Sequence, residues 1–187
     1  MAGYLRSLFF VVAISLAALP VQAEEPDNVA LLDLKDGRVV IEMRPDLAPK
    51  HVARIRALIK EGYYDGLAFH RVIEGFMAQG GDPTGTGAGG SGVKLPAEFS
   101  RERHLRGTVS MARAENPNSA DSQFFIMFGP SPFLDGKYTI WGQVVQGMEL
   151  VDRIKRGDES RGGMVREPDK IVRMRIASDV PDFTVKK

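Results

Sequence analysis

Residues 69–82 have the sequence FHRVIEGFMAQGGD and predict two short β-strands joined by a turn at residues 74–75, because apolar and polar residues alternate on either side of it. Along the first strand Phe69, Arg71 and Ile73 share one face, since successive side chains of a strand point to opposite sides. Arg71 therefore stands between two large apolar residues. Residue types alone leave two interpretations open: a salt-bridged strand arginine, or a fixed cation beside the apolar walls of a groove.

Further strands are predicted on both sides of this stretch. A hairpin is expected around Asp36-Gly37, a dipeptide that favours tight turns, with strands over residues 29–34 and 39–44. Later strands are predicted from β-branched and aromatic content or from alternation, over residues 108–113, 123–128, 139–145 and 171–176.

Two helices are predicted between these strands. The first has Asp46 as its N-cap and Pro49 in its first turn, and Gly62 suits the left-handed position that follows a helix. The second is predicted over residues 148–155, with Gly157 closing it. Many short strands with only two helices are typical of an all-β barrel or sandwich, and the length of 187 residues fits one domain.

A glycine-rich run follows the central stretch, at residues 82–92. A Walker loop would end in Gly-Lys-Ser/Thr, and a dinucleotide loop would lie between a strand and a helix. The run is followed instead by VKLP at residues 93–96, which fits neither motif. It is therefore predicted to be a tight loop whose glycines permit positive φ and the close approach of a partner chain.

Composition excludes several kinds of chemistry. The formal charge of +1 gives no reason to expect nucleic acid or an acidic membrane as a partner, and the absence of cysteine excludes disulfides and a cysteine nucleophile. The three histidines are widely spaced, so no metal and no cofactor are expected. His51 and His104 stand in charged contexts and are predicted to be exposed. His70 alternates away from Arg71, which favours a structural role over a catalytic one.

Residues 1–23 have the features of a cleavable signal peptide. Arg6 supplies a positive start, residues 8–19 are apolar or small, and small residues precede cleavage after Ala23. The apolar run is shorter than the about 20 residues that span a bilayer, so an uncleaved anchor is the less favoured alternative. The chain is expected to be exported to a bacterial periplasm. Its predicted parts are a loose mature N-terminus over 24–28, one domain over 29–180 and a tail over 181–187.

Three motifs carry a resemblance to a known family. The central stretch is followed by TGTG at residues 84–87; the second motif runs from VSMA at 109–112 to SQFFI at 122–126, and the third is FLDGKY at 133–138. In this order and spacing they resemble the cyclophilins, the cyclosporin-binding family of peptidyl-prolyl cis-trans isomerases. The resemblance covers residues 28–177. It implies a closed eight-stranded antiparallel β-barrel with a helix capping each end.

The resemblance also implies which residues form the active site. Arg71 matches the catalytic arginine, and Gln79 matches the residue that binds substrate backbone and steadies that arginine. The proline pocket is matched by Phe76 and Phe125, which complete the catalytic set, and by Met77 and Leu134; without the motifs these four would be interpreted as core residues. The other substrate-binding positions are Ala112 and Arg113 at a strand edge, Phe133 and Tyr138 at the pocket rim, and His70 at the border of the site.

Three positions depart from the family pattern. Arg113 stands where asparagine is usual, and Tyr138 replaces the commoner histidine. Phe133 replaces the tryptophan of cyclosporin-sensitive members, so only weak cyclosporin binding is expected. The predicted function is isomerisation of X-Pro bonds during the folding of exported proteins, by a monomer that acts on flexible proline-containing polypeptides. The alternative is a non-catalytic binding module or holdase of the same fold, although a pure binder would need only the pocket and not Arg71 and Gln79.

Overall fold

In the computed structural model, which describes residues 25–181 and 183, eight strands form one antiparallel sheet. The strands are β1 (Val29–Leu34), β2 (Gly37–Met43), β3 (Arg71–Ile73), β4 (Met77–Gly80), β5 (Thr108–Met111), β6 (Phe124–Met127), β7 (Ile140–Gln146) and β8 (Arg173–Ile176). The helices are α1 (Pro49–Lys60) and α2 (Met148–Val151). The predicted strands and helices are confirmed, although α2 is shorter than predicted because turns follow Val151.

The sheet is an open half-barrel with the strand order β3-β4-β6-β5-β7-β2-β1-β8. The expected closed barrel is therefore wrong. In the described chain β3 and β8 lie at opposite ends of the order and form no strand pair with each other.

Other groups occupy the outer edges of β3 and β8, which explains why the barrel stays open. The backbone N–H of Val72 in β3 donates to the carbonyl of Gly163 at 2.8 Å, and the N–H of Gly157 donates to the carbonyl of Val72 at 2.9 Å. On β8, the N–H of Met174 donates to Oδ1 of Asp65 at 2.9 Å. The hydrogen-bonding groups that a closing strand pair would use are thus already satisfied.

One face of the sheet covers the main hydrophobic core. Phe124 lies at its centre, with its ring centroid 5.6 Å from that of Tyr64, 5.8 Å from Trp141 and 6.5 Å from Phe69. All four residues are fully buried. The helix α1 packs against this core through a stripe at helical spacing, formed by Val52, Ile55, Leu58 and Ile59. The core thereby fixes β6 in place, and the opposite face of β6 is free to build a site.

The start of α1 differs from the prediction. Its N-cap residue is Ala48, which makes no side-chain cap, and the Asp46 carboxylate instead accepts hydrogen bonds from Arg44, with Nε at 2.9 Å from Oδ1. The carboxylate of Glu98 caps the helix from a distant loop, accepting from the backbone N–H groups of residues 50–51 at 3.1 and 3.0 Å. The expected end is confirmed, since Gly62 follows α1 with a φ of +71°.

Some expectations fall partly or wholly outside the described residues. The predicted signal peptide over 1–23 lies there entirely, as does most of the tail over 181–187. Of the predicted loose segment over 24–28, Pro26–Asn28 form one turn of 3-10 helix. Within residues 25–181 and 183, no helix has the length and apolar character needed to cross a membrane.

Candidate active site

The register of β3, β4 and β6 brings the central predicted residues into one row. Arg71 lies opposite Gln79, and Gln79 lies opposite Phe125. The neighbouring row on the same face is Ile73, Met77 and Met127, which pair in the same way. Residues between these rows point into the core, because side chains alternate across a strand. Alternation within β3 and β4 therefore places a cation and an amide beside apolar side chains. Phe69, predicted on the same face as Arg71, lies instead in the main core, because β3 begins only at Arg71.

This face forms the floor of an open pocket of about 260 Å³. Its lining comprises every predicted site residue except His70, namely Arg71, Phe76, Met77, Gln79, Ala112, Arg113, Phe125, Phe133, Leu134 and Tyr138. The structure thus brings together residues that are up to 67 positions apart in the chain, as the span from Arg71 to Tyr138 shows. Their individual roles in the reaction stay predictions.

The base of the pocket is apolar and largely buried. Met77, Phe125 and Leu134 form, with Met127, a small hydrophobic cluster separate from the main core. Phe76 lies at the side of the pocket with its ring centroid 5.5 Å from that of Phe133. Phe133 is 62% exposed and therefore belongs to the rim. An apolar base with a wet rim suits a ring that enters from a solvated chain, such as that of proline.

Arg71 is held beside this pocket by two hydrogen bonds. Its Nη1 donates to Oε1 of Gln79 at 3.2 Å, and its Nε donates to the carbonyl of Gly162 at 2.9 Å. Neither acceptor is a carboxylate, so the guanidinium is a fixed cation beside apolar walls and the salt-bridge interpretation does not hold. Burial lowers the pKa of Arg71, and Tyr138 opposes that change. An arginine nevertheless stays protonated in the range where proteins work.

Gln79 is in turn oriented by Gln123, a residue that sequence reasoning did not assign to the site. Nε2 of Gln79 donates to Oε1 of Gln123 at 2.9 Å. Nε2 of Gln123 donates to the carbonyls of Gly87 and Gly89 at 2.9 and 2.8 Å. The glycine-rich loop is thereby connected to Arg71 through two amide side chains. The signal for Gln123 was its position inside the motif at residues 122–126.

The glycine-rich loop closes around carboxylates of its own chain. Asp82 accepts hydrogen bonds from the backbone N–H groups of Gly87 at 2.6 Å and Gly89 at 3.2 Å. A Cβ on Gly89 would lie 2.1 Å from Oδ1 of Asp82, so no larger residue fits there. Burial acts to raise the pKa of Asp82, but the donors of Thr84 and the loop glycines lower it below its usual value. The predicted tight loop is confirmed, and the close approach is that of a side chain of the same chain.

A second open pocket, of about 200 Å³, lies next to the first and shares Gln79, Ala112 and Arg113 with it. Its outer walls are the glycine-rich loop and the ion pair between Lys94 and Asp121, whose Nζ and Oδ2 are 3.3 Å apart. The two pockets are therefore adjacent and share one wall.

Ala112 and Arg113 lie between the pockets but not on a free sheet edge. They follow β5, which is flanked by β6 and β7, and the N–H of Ala112 donates to the carbonyl of Gln123 at 2.9 Å. The N–H of Ala112 is thus used inside the sheet, and the expected pairing of a peptide along Ala112 and Arg113 stays a prediction. The Arg113 guanidinium donates to the carbonyl of Lys137 at 3.0 Å and stacks 4.5 Å from the ring centroid of Tyr138. Two of the three departures from the family pattern, Arg113 and Tyr138, thus contact each other.

His70 lies outside the pocket. Its side chain is buried on the other side of β3, and a Cβ on Gly87 would be 3.6 Å from its Nε2. Burial lowers the pKa of His70, and Asp82 opposes that change. The structure therefore places His70 under the glycine-rich loop, as a structural residue, and does not bring it to the residues that line the pocket.

The other two histidines are buried, so their predicted exposure is wrong. Nδ1 of His51 lies 2.6 Å from Oε2 of Glu98, which explains how a histidine is accommodated on the inner side of α1. Nδ1 of His104 lies 3.0 Å from Oδ1 of Asp135, and its ring stacks at 6.3 Å on Phe125. The carboxylate partners lie 47 and 31 positions away in sequence, so the charged residues next to these histidines did not reveal them.

Within the described residues, no three His, Asp or Glu side chains come together in a group that could hold a metal ion. The polar side chains that line the pocket are two guanidinium groups, one amide and one phenol, and the others are apolar. Such a set can grip a ring, bind a carbonyl and direct a hydrogen bond, without proton transfer.

The comparisons with known proteins agree with this geometry. The family described as cyclophilin type peptidyl-prolyl cis-trans isomerase/CLD matches residues 29–176. A probable peptidyl-prolyl cis-trans isomerase of Brucella suis is 54% identical over 181 residues, which is 90% of this chain and 92% of that protein. Peptidyl-prolyl cis-trans isomerase B of Bacillus subtilis is 44% identical over 128 residues, covering 67% and 89% of the two chains.

Solved structures show the same likeness. A cyclophilin from Hirschia baltica superposes with a TM-score of 0.77 at 30% identity, covering 86% of this chain and 78% of that one. A cyclophilin type peptidyl-prolyl cis-trans isomerase of Cryptosporidium parvum, in the presence of the dipeptide Ala-Pro, gives 0.72 at 32% identity, covering 79% and 98%. The chain belongs to the cyclophilin-type peptidyl-prolyl cis-trans isomerases. It is an enzyme that interconverts the cis and trans forms of the peptide bond before proline.

Proposed function

We propose that Arg71 drives this reaction by donating a hydrogen bond to the prolyl nitrogen in the transition state. The barrier of about 18–20 kcal/mol arises because resonance stiffens the peptide C–N bond. When the bond twists, resonance is lost and the nitrogen gains a localised lone pair. A donor aimed at that nitrogen stabilises the twisted state more than the planar ground state, which is what catalysis requires.

The observation that carries this proposal is the fixed guanidinium at the edge of the apolar pocket. Gln79 and Gly162 use one donor on Nη1 and the donor on Nε. A guanidinium has five N–H donors, so the remaining ones, on Nη1 and Nη2, stay available to a bound peptide. Because the cation is oriented before substrate arrives, little reorganisation is needed at the moment of reaction.

The proline ring would occupy the base formed by Met77, Phe125 and Leu134, with Phe76 beside it. Residues that flank the proline would lie along Ala112–Arg113 and into the second pocket. The Cryptosporidium parvum relative studied with the Ala-Pro dipeptide supports proline-containing peptides as the substrate class.

The test compares two arginines. Arg71→Ala should reduce turnover of a short Ala-Pro peptide by about 10²–10³-fold, the usual cost of removing one transition-state donor. Arg166→Ala removes an exposed arginine outside the pocket and should leave turnover unchanged. The rate is measured by exchange NMR, with folding checked by circular dichroism. Turnover like that of the unmodified protein in a folded Arg71→Ala variant would overturn the role assigned to Arg71.

This activity serves the folding of exported proteins, and a bacterial periplasm is the favoured compartment. Uncatalysed X-Pro isomerisation takes tens to hundreds of seconds and can limit folding. The support is the signal-peptide pattern of residues 1–23. Mass spectrometry of the protein recovered from its native cell envelope should find Glu24 as the first residue. An intact N-terminus in the membrane fraction would favour the uncleaved anchor instead.

Cyclosporin should inhibit this enzyme only weakly. Phe133 offers an exposed apolar ring at the rim but no N–H donor, unlike the tryptophan of cyclosporin-sensitive members. When a ligand carbonyl loses its hydrogen-bond donor, binding weakens by about 1–3 kcal/mol, which is roughly one to two orders of magnitude in affinity. Phe133→Trp should therefore tighten inhibition without a comparable gain in peptide turnover. Stoichiometric inhibition of the unmodified enzyme would show that Phe133 does not line the drug site.

The enzyme is expected to act as a monomer, which sedimentation would check.

A further inference from the structure

Arg71 has a hydrogen-bond partner that lies far away in sequence, the carbonyl of Gly162, 91 positions later. This carbonyl belongs to the loop of residues 157–164, with the sequence GDESRGGM, which we call the arginine-facing loop. We propose that this loop positions the Arg71 guanidinium for catalysis, with Gly163 as the residue on which its placement depends. The inference rests on the proposed role of Arg71 as the transition-state donor.

The two acceptors act on different parts of the guanidinium. Gln79 accepts from Nη1, whereas Gly162 accepts from Nε, the nitrogen nearest the aliphatic stem. The guanidinium is planar and its N–H groups have fixed directions, so one hydrogen bond leaves the plane free to rotate about that contact. Two bonds at different nitrogens define the plane. The remaining donors then have one direction, which is the property a transition-state donor needs.

Backbone hydrogen bonds attach the arginine-facing loop to β3, the strand that carries Arg71. Val72, next to Arg71, donates its N–H to Gly163 at 2.8 Å and accepts from the N–H of Gly157 at 2.9 Å. The N–H of Val165 donates to the carbonyl of His70 at 3.0 Å. The loop and Val165, the residue after it, are therefore bonded to the residues on both sides of Arg71. Its carbonyl at Gly162 cannot move without disturbing the strand.

The loop also has internal hydrogen bonds that hold its shape. The carbonyl of Asp158 accepts from the N–H groups of Arg161 at 3.0 Å and Gly163 at 2.9 Å. Oδ1 of the Asp158 side chain accepts from the N–H of Ser160 at 2.9 Å and from its hydroxyl. The loop is thus a closed turn, a shape that can present one carbonyl at a defined place.

Gly163 is required where the loop touches β3. Its φ is +86°, and a Cβ there would lie 2.4 Å from Cγ1 of Ile73 and 3.2 Å from the carbonyl oxygen of Val72. Neither neighbour is the free end of a flexible chain, so a side chain at this position must push the loop away from β3. The Gly162 carbonyl would move with it, and Arg71 would keep only Gln79.

The experiment uses Gly163→Ala, with Gly66→Ala as its matched control. Gly66 also has a positive φ, +79°, but nothing lies within 4 Å of its Cβ position and it is remote from the pocket lining. Both variants carry similar backbone strain from the positive φ, but Gly163→Ala adds the clash with Ile73 and should lose more stability. Gly163→Ala should lower kcat/KM for an Ala-Pro peptide by about tenfold, mainly through kcat, because misplacing a reacting group can cost up to about 10²-fold. Gly66→Ala should retain the unmodified rate.

Each glycine change is also made in the Arg71→Ala background, and this step separates positioning from a general structural effect. If the loop acts through Arg71, Gly163→Ala should cost nothing further once Arg71 is absent. An equal loss in both backgrounds, or no loss in either, would overturn the inference. Unmodified turnover in Arg71→Ala alone would instead overturn the proposed role of Arg71, so the two failures are distinguishable.

A spectroscopic readout follows the hydrogen bond itself. The Nε–H signal of Arg71, identified by its disappearance in Arg71→Ala, should exchange with water faster in Gly163→Ala than in Gly66→Ala. Equal exchange rates in the two variants would contradict the inference.

If Gly163→Ala fails to fold, Asp158→Ala takes its place, because it removes the carboxylate that fixes Ser160. Asp158→Ala should lower the rate by about threefold when Arg71 is present and should not lower it further in the Arg71→Ala variant.

Discussion

Phe124 and Phe125 are neighbours in β6 and both are buried, with exposed fractions of 0% and 5%, yet they belong to different parts of the molecule. Phe124 packs among Tyr64, Phe69 and Trp141 in the main core. Phe125 lies on the opposite face with the stacked His104. Burial alone therefore does not distinguish a residue that holds the fold from one that lines the pocket; the face of the strand does.

The variant with the largest expected effect is Phe124→Ala, which tests whether this face of β6 holds the core. The ring is enclosed by other rings, so its removal leaves a cavity that the surroundings cannot fill, and the free energy of unfolding should fall by about 3–5 kcal/mol. Urea denaturation measures this loss. Phe99→Ala is the control, since that ring is 42% exposed and its loss should change stability by only about 0.5 kcal/mol. A loss of similar size in the two variants would show that the ring cluster does not carry the core.

In contrast to Phe124→Ala, Phe125→Ala should reduce activity more than stability. Its ring borders an open pocket, so water can replace part of it, and the loss of stability should be smaller than that of Phe124→Ala. Turnover of an Ala-Pro peptide should fall by about 10–100-fold, since a hydrophobic wall of the pocket is lost. Denaturation and exchange NMR on the same preparation test both parts. If activity survives while stability collapses, the two faces have been assigned the wrong way round.

The smallest effect concerns pH and the histidine behind Phe125. Burial lowers the pKa of His104 below its usual value of 6.5, although Asp135 acts in the opposite direction. At pH values between the lowered pKa of the folded protein and 6.5, this histidine binds a proton in the unfolded chain but not in the folded protein. The free energy of unfolding should therefore be greatest above about pH 6.5 and fall as the pH decreases toward the folded pKa.

Replacing this histidine tests the assignment. His104→Asn should reduce the slope of unfolding free energy against pH below about 6.5, while His70, whose pKa burial also lowers, keeps part of it. Denaturation curves from about pH 5 to 8 give the slope. Peptide turnover of the unmodified enzyme should stay flat from about pH 6 to 9, because Arg71 does not titrate there. An unchanged slope in the variant would mean that His104 keeps its usual pKa.

Local sequence patterns predicted which residues of neighbouring strands face each other, but they did not predict contacts between loops that are distant in sequence. Alternation in residues 69–82 put Arg71 on an apolar face, and the resemblance to the cyclophilins added Gln79 and the apolar base. Nothing local signals that the Gly162 carbonyl meets Arg71 or that Glu98 caps α1, because these contacts join loops distant in sequence. A backbone carbonyl has no residue type, so a pattern of side chains cannot reveal it.

The same limit explains the error about the barrel. The count and direction of the strands follow from composition and turns, whereas closure depends on what lies at the sheet ends. There the arginine-facing loop and the Asp65 carboxylate take the backbone groups that a closing pair would need. The error about His51 and His104 has a similar origin, since a charged neighbourhood can mean ion pairs inside as well as water outside.

The covered outer edges of β3 and β8 have a consequence for the proposed action on incompletely folded chains. Such chains add readily as an extra strand to any sheet that offers a row of unpaired N–H and C=O groups, and the result is aggregation rather than release. Val72 has both its backbone groups bonded to the loop, and Met174 is bonded to Asp65. A client polypeptide is therefore denied strand addition at these two places. In the proposed mechanism it is bound at its proline and can leave again once the bond has turned.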